Sequence, residues 1–160
     1  MMGTRNVLFE KAARDLGVDF DQEIRAVPKY EVAVENDGTL YVSGQLPRIG
    51  SSVAVKGRVG SDTSVDEARR AARICIVRAL AIVRQALGSL DRVKKVLRVT
   101  VYVQSAEDFT QQSEVAAAAS AILYSVLAPV GGHTRTSVGV DQLPKNASVE
   151  IDMIVAIAPK

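Results

Sequence analysis

The stretch SVDEARRAARICIVRALAIVRQALGSLDRVKKVLRVTVYVQS, residues 64–105, decides the fold because it predicts a long helix followed at once by a long strand. Ser64 and Glu67 have the spacing of a capping box, and Gly88 is a typical helix end. Residues 92–105 are rich in β-branched side chains, which favour a strand. The helix carries an apolar stripe of Ala68, Ala71, Ala72, Cys75, Ala79, Ile82, Val83 and Ala86.

The segments on either side complete an α+β pattern. Alternating residues around Asn36-Asp37-Gly38 predict a hairpin. The order ββ-α-β-α-ββ predicts one sheet with two long helices on one face. The remaining predicted elements are an N-terminal helix at 5–17, a long loop at 45–62 with a short strand in SVAVK, a second long helix at 108–129, and strands at 134–140 and 147–158.

Length and composition narrow the class of protein. A chain of 160 residues with 48% apolar and 24% charged residues is typical of one globular domain. A net charge of +2 is too small to indicate a nucleic-acid or membrane partner. The single cysteine, Cys75, excludes an intramolecular disulfide. Because the N-terminus has no apolar core of a signal peptide, and no apolar run reaches membrane-spanning length, we expect a cytoplasmic protein.

The predicted strands have one apolar face and one mixed face. Leu97, Val99, Val101 and Val103 share a face of the strand at 92–105, and that face should lie under the helices. The opposite faces mix polar and apolar side chains, and no long helix is left to cover them. We therefore expect a second subunit there, and hence a homo-oligomer.

Two charged residues near the end of the chain are candidates for chemistry. Arg135 shares a strand face with Ser137, and its guanidinium fork matches a carboxylate. Glu150 lies between apolar neighbours, which would raise its pKa towards the range of a general acid or base. Taken singly, each has a commoner interpretation: an exposed arginine at a strand end, and a glutamate in an ion pair with Arg135 or Arg98.

Other polar residues carry weaker signals. Cys75 lies in the apolar stripe, which indicates inert core. His133 is a loop residue that we place at the mouth of a site. Residues 69–98 hold nine basic side chains, but with no aromatic residue between Tyr41 and Tyr102 they favour a solvated helix face over a nucleic-acid surface. The mixed sheet face can also present the hydroxyls of Tyr30, Tyr41, Tyr102 and Ser43.

Three motifs, YVSGQLP (41–47), RTSVGVDQLP (135–144) and VEIDMI (149–154), resemble the YjgF/RidA family of imine/enamine deaminases, which is also labelled endoribonuclease L-PSP or translation-initiation inhibitor. The resemblance covers residues 24–158 and leaves 1–23 as a helical extension of a single-domain chain. It implies a chorismate-mutase-like sheet backed by two helices. It also implies a homotrimer with a site at each subunit interface.

The resemblance also implies roles for individual residues. Arg135 would bind the substrate carboxylate, and Glu150 would position or deprotonate the attacking water. Ser43 and Tyr30 would shape the pocket. Ser137 stands where the family often has cysteine, and we include it with His133 among the substrate-binding candidates. An asparagine often found early in the second helix is missing, with Gln112 or Ser113 nearest.

The function that the resemblance implies is hydrolysis of a 2-imino acid, or its enamine tautomer, to a 2-oxo acid and ammonia. No cofactor or metal is implied, because an imine is already electrophilic. Two alternatives remain open at this point. One is a non-catalytic protein that binds a small carboxylate metabolite, and the other is an endoribonuclease or RNA-binding protein.

Overall fold

Three helices back one face of a five-stranded sheet, in the predicted α+β arrangement. The computed structural model describes residues 3–27 and 29–160. The helices are α1 (Thr4–Asp15), α2 (Val65–Leu87) and α3 (Gln112–Val126), and the strands are β1 (Ala33–Asn36), β2 (Thr39–Gln45), β3 (Arg48–Ile49), β4 (Ser52–Val53), β5 (Val93–Gln104), β6 (Thr134–Val140) and β7 (Val149–Ile157).

The strand order in the main sheet is β1-β2-β7-β5-β6, and β3 and β4 form a separate small hairpin. All pairings in the main sheet are antiparallel except that of β5 with β6. Asp37 and Gly38 both have positive φ, 48° and 75°, which is the geometry of the predicted tight turn between β1 and β2. Although β6 and β7 are consecutive in the chain, β5 lies between them in the sheet.

Helix α2 forms as its sequence predicts and supplies much of the core. The Ser64 hydroxyl accepts from the Glu67 amide, the Glu67 side chain accepts from the Ser64 amide, and Gly88 ends the helix at φ 80°. Ala86 is exposed, so the predicted apolar stripe stops before it. The predicted solvated arginine face is confirmed only at Arg70, which is exposed, whereas Arg69, Arg73, Arg78 and Arg84 are half-buried.

Val7, Leu8, Ala12 and Leu16 lie at helical spacing and predict one apolar face for α1, but the helix packs through a face centred on Phe9 and Ala13. The side chain of Phe9 is fully buried, whereas Val7 and Leu8 are 47% and 36% exposed. The Phe9 ring lies 5.6 Å from the Phe20 ring, and the Arg84 guanidinium lies over it at 4.4 Å. Contacts with α2 and α3 show that the extension is packed on the sheet's helical side. The boundary at residue 23 stays a prediction.

The predicted extension, 1–23, includes Met1 and Met2, and the region of the family resemblance, 24–158, includes Pro28. These three residues lie outside the described part of the chain.

The second face of the sheet carries no helix in the described residues. Its exposed apolar side chains include Val34, Tyr41, Leu97 and Val138. The prediction that Leu97 lies under the helices was wrong, because the pairing of β5 with β7 shifts register between Val96 and Arg98 and leaves Leu97 41% exposed. The predicted alternation is confirmed in β7, where Val149, Ile151, Met153, Val155 and Ile157 are buried and the residues between them are half-buried. We call the face of the sheet that carries no helix in the described residues the open face.

None of the helices in residues 3–27 and 29–160 has both the length and the apolar character to cross a bilayer.

Candidate functional site

Glu150 lies on the open face of β7, next to a bend in β2. The register between β2 and β7 shifts between Val42 and Gln45, and Gly44 faces Glu150 there. A Cβ at position 44 would come within 2.3 Å of Glu150 Oε1, so glycine is what leaves room for the carboxylate. Burial, and then the negative charge of Asp152, raises the pKa of Glu150 above its ordinary value.

Asp152 and Tyr102 extend this polar group across the open face. The Tyr102 hydroxyl donates to Asp152 Oδ2 at 3.1 Å. Burial, and then the charge of Asp152, raises the pKa of Tyr102. Because Tyr102 is also the cross-strand partner of Glu150, three ionisable side chains adjoin one another on this face.

Arg135 lies on the opposite side of the sheet. Its partner in β5 is Val99, a buried residue of the core face, and its side chain extends towards α3. Guanidinium Nη1 donates to Ser120 Oγ and Nη2 donates to Ser113 Oγ, both at 3.0 Å. These two serines lie seven residues apart on α3, so they share one helix face and hold the fork at the edge of the sheet.

His133 supports the same arrangement. One ring nitrogen, Nδ1, lies 2.7 Å from the Gly131 carbonyl, which can only accept, so we assign the proton to Nδ1. The other nitrogen, Nε2, lies 2.9 Å from Ser120 Oγ and therefore accepts from that hydroxyl. Ser120 thus donates to His133 and accepts from Arg135, and its orientation is fixed by both.

The structure separates the predicted site residues into two groups within one chain. The first group, Arg135, Ser137 and His133, lies where β6 meets α3; Ser137 pairs with Val101 and faces the helices as Arg135 does. The second group lies near the open face of β2 and β7 and consists of Tyr30, Ser43 and Glu150. Because Arg135 faces the helices and Glu150 lies on the open face, the sheet itself stands between them, with β5 between their two strands.

A cavity of about 870 Å³ adjoins the second group. Its walls are the segment that follows α1, the bend after β2, one side of α2 and the turn before β7. Tyr30, Gly44 and Glu150 line it, whereas Ser43 is close by and donates its hydroxyl to the Glu31 carbonyl. The cavity can therefore admit a small molecule to the Glu150 carboxylate.

The commoner interpretation of Glu150 as half of an ion pair is wrong for this chain. Neither Arg135 nor Arg98 forms an ion pair with it among the described residues, and Arg98 instead donates to the Thr136 hydroxyl. Cys75 is fully buried, as predicted for inert core.

Several polar residues of these two groups were missed by reasoning from the sequence. Ser113 was noted only as a substitute for an asparagine, and the matching spacing of Ser120 in an alanine-rich helix was the available signal. The side chains of Arg48, Arg78 and Lys145 also line the cavity. Nothing in their local sequence marked them, since they come together from a bend, a helix and a turn.

Comparison with known proteins places this geometry in a family. The family model described as endoribonuclease L-PSP matches residues 20–157. Protein TCP17 of Trypanosoma cruzi is 39% identical over 143 residues, which are 89% of each chain. The crystal structure of Atu1372, a protein of unknown function from Agrobacterium tumefaciens, is 39% identical and superposes with a TM-score of 0.86 over 96% of this chain and 95% of that one.

The family name used by the sequence resemblance also occurs among the solved structures. The YjgF gene product of E. coli is 25% identical and has a TM-score of 0.54, over 82% of this chain and 90% of that one. Its likeness and the family match agree with the three motifs read from the sequence. The chain belongs to the endoribonuclease L-PSP family, which is the YjgF/RidA family.

Proposed function

We propose that this protein hydrolyses 2-imino acids, or their enamine tautomers, to 2-oxo acids and ammonia in a site formed by two copies of the chain. Membership of the family supports a small-molecule or deaminase role in general terms. The finer proposal rests on one observation: Arg135 and Glu150 occupy opposite sides of the same sheet, so a site that uses both needs Arg135 from one copy and Glu150 from another.

Each half of the proposed site is suited to its part. Two serine hydroxyls orient the Arg135 guanidinium, so its side chain loses less conformational entropy when it binds a carboxylate. Glu150 borders a cavity and has a raised pKa, which brings its proton affinity closer to neutral pH. We propose that oligomerisation through the open face brings the two halves together, as a homotrimer.

The proposed reaction needs only these groups and water. Arg135 of one copy holds the substrate carboxylate, and Glu150 of the other accepts a proton from water as its oxygen bonds to the C=N carbon. That proton then passes to the nitrogen, which gives a carbinolamine. Glu150 next transfers the proton of the new hydroxyl to the same nitrogen, so the C=O bond forms as the C–N bond breaks and ammonia leaves the 2-oxo acid. Tyr30 and Ser43 shape the pocket around the second copy's half of the site.

The experiment is an assay of ammonia release from imines made in place by an amino-acid oxidase. Losing two charge-assisted hydrogen bonds of roughly 1.5–3 kcal/mol each should lower kcat/KM of Arg135→Ala by about a hundredfold or more. Arg135→Lys should not restore the rate, because a single ammonium cannot reproduce the fork. Arg70→Ala, an exposed arginine on α2 that does not line the cavity, is the matched control. An unchanged rate in Arg135→Ala would end the proposal.

The same assay separates the enzyme from a protein that only binds a carboxylate. Glu150→Gln should remove turnover while leaving affinity for a 2-oxo acid nearly intact. A wild-type protein that binds 2-oxo acids and never releases ammonia would be a metabolite sensor. No observation favours RNA: the basic residues of α2 are mostly half-buried and do not form the solvated stripe that a phosphate backbone would contact.

A further inference from the structure

The proposed reaction leaves one part of the cavity without a role. Besides Tyr30, Gly44 and Glu150, the cavity is lined by four cationic side chains. Arg25 is paired with Glu23, and the other three come from separate elements: Arg48 from β3, Arg78 from α2 and Lys145 from the turn before β7. None of these three takes part in an ion pair within residues 3–27 and 29–160. Their charges are therefore available to something that enters the cavity.

Arg78 is the most informative of the three. It is half-buried on α2 between the buried residues Val77 and Ala79, and its Nε is buried with no hydrogen-bond partner in the described part of the chain. Burial lowers its pKa; the Cys75 thiol opposes this shift, and the positive charge of Arg48 adds to it. A half-buried guanidinium beside a second guanidinium is an unfavourable arrangement, and an anion between them would relieve it.

Lys145 reaches the cavity on a backbone held in an uncommon conformation. Lys145 and Asn146 both have φ of 58°, in the left-handed region that ordinary residues seldom occupy. The buried side chain of Gln104 fixes this turn: its Nε2 donates to Asn146 Oδ1 at 2.8 Å, and its Oε1 accepts from the Leu143 amide at 2.9 Å. The turn is thus built to keep one conformation, and that conformation places Lys145 at the cavity.

The acidic residues of the same cavity do not neutralise this cluster. Asp19, Asp21 and Glu23 belong to the exposed segment that follows α1, and Glu23 is paired with Arg25 at 2.6 Å. The Arg48 side chain donates to the Ser51 carbonyl, a neutral group. Among the described residues, Glu150 forms no ion pair with any of the three cations.

We propose that Arg48, Arg78 and Lys145 form a second anion-binding subsite, so that the cavity takes small molecules with two anionic groups. One group is the carboxylate at the reacting end, and the other is a carboxylate or phosphate at the far end. This inference rests on the proposed function for the reacting end alone. An arginine guanidinium binds a carboxylate or a phosphate through two parallel hydrogen bonds, so both groups suit this subsite.

The test compares the binding of three probes to the full chain by calorimetry. The probes are 2-oxobutanoate with one carboxylate, 2-oxoglutarate with two, and 3-phosphoglycerate with a carboxylate and a phosphate. We expect one or both dianions to bind about tenfold or more tightly than 2-oxobutanoate. Tighter binding of 2-oxoglutarate would indicate a carboxylate subsite, and tighter binding of 3-phosphoglycerate would indicate a phosphate subsite.

Two variants and a control locate the preference. Arg78→Gln keeps hydrogen-bonding capacity and removes the charge, so the ratio of dianion to monoanion affinity should fall about tenfold. Arg48→Gln, on a short surface hairpin, should lower the same ratio. It replaces Arg78→Gln in the comparison if that variant does not fold. Arg70→Gln, an exposed position on the same helix, should leave the ratio unchanged. A wild-type ratio near one, a ratio unaltered in both variants, or no binding of any probe would overturn the inference.

The outcome is distinguishable from failure of the proposed function. Imine hydrolysis without a preference for dianions would remove the second subsite and leave the deaminase intact. A preference for dianions that depends on Arg78, in a protein that never releases ammonia, would keep the subsite and remove the deaminase.

Discussion

Glu150 owes its unusual proton affinity to where its strand places it. Apolar neighbours bury it in part, Gly44 leaves it room, and Asp152 lies two residues along the same face. If Glu150 accepts a proton from water, it must be ionised, so activity should fall as the pH drops through its raised pKa. The acidic limb of the pH–rate profile therefore reports on this one side chain.

Changing Asp152 should move that limb in a known direction. Asp152→Asn removes the negative charge that disfavours ionisation of Glu150, so the pKa of Glu150 should fall and activity should persist to lower pH. The measurement is kcat/KM against pH, with Asp108→Asn, an exposed carboxylate on a loop, as the control. A limb that stays in place, or moves to higher pH, would show that Glu150 is not the group that titrates.

Cys75 should be unreactive while the chain is folded. Burial raises the pKa of its thiol well above the ordinary value, and its Sγ lies 3.6 Å from the Val149 carbonyl in the core. A thiol reagent should therefore label Cys75 only through unfolding, at a rate that rises with added denaturant. Rapid labelling of the native protein would contradict the position of α2 against the sheet.

At the scale of elements, Phe9 fastens the N-terminal helix to the rest of the fold. Phe9→Ala should lower the free energy of unfolding by about 3–5 kcal/mol, because a fully buried aromatic side chain is lost and the Phe20 and Arg84 contacts go with it. Leu8→Ala, one residue away and 36% exposed, should cost less than about 1 kcal/mol. Urea denaturation measures both. Similar losses in the two variants would mean that α1 packs through another face.

The elements themselves could be predicted from the sequence, because their signals are local. The capping box of Ser64, the stop at Gly88 and the tight turn at Asp37-Gly38 all depend on neighbouring residues. The alternation in β7 likewise required only its own nine residues. Helix α1 was harder, since its apolar residues nearly encircle it and only tertiary packing decides that Phe9 lies inward.

The arrangement of the site could not be predicted in the same way. Arg135 and Glu150 lie on strands joined by a short connection, which favours neighbours in the sheet. Insertion of β5 between β6 and β7 depends on pairings far apart in the chain, and it decides which side chains can meet. The seven-residue spacing of Ser113 and Ser120 in the alanine-rich α3 indicates a shared helix face, but it does not indicate that this face holds the Arg135 guanidinium.

At the scale of the whole molecule, the open face is where we expect copies of the chain to meet. Ile154→Lys places a charge among the apolar side chains of that face, beside Tyr41, and should weaken association strongly. Val7→Lys, on the outer side of α1 and 47% exposed, should not. Sedimentation at micromolar concentration should show a trimer for wild type and the control, and smaller species for Ile154→Lys. A monomeric wild type would exclude a site shared between copies.

Complementation in mixed oligomers is the most direct measure of whether two copies share one site. Arg135→Ala and Glu150→Gln chains carrying different tags are coexpressed, and the mixed species is purified through both tags. Each variant alone should be inactive. In trimers that contain both variants, one of the three sites should be restored, since at one interface Arg135 comes from the Glu150→Gln chain and Glu150 comes from the Arg135→Ala chain. Mixed oligomers as inactive as either parent would show that Arg135 and Glu150 do not act together across two copies.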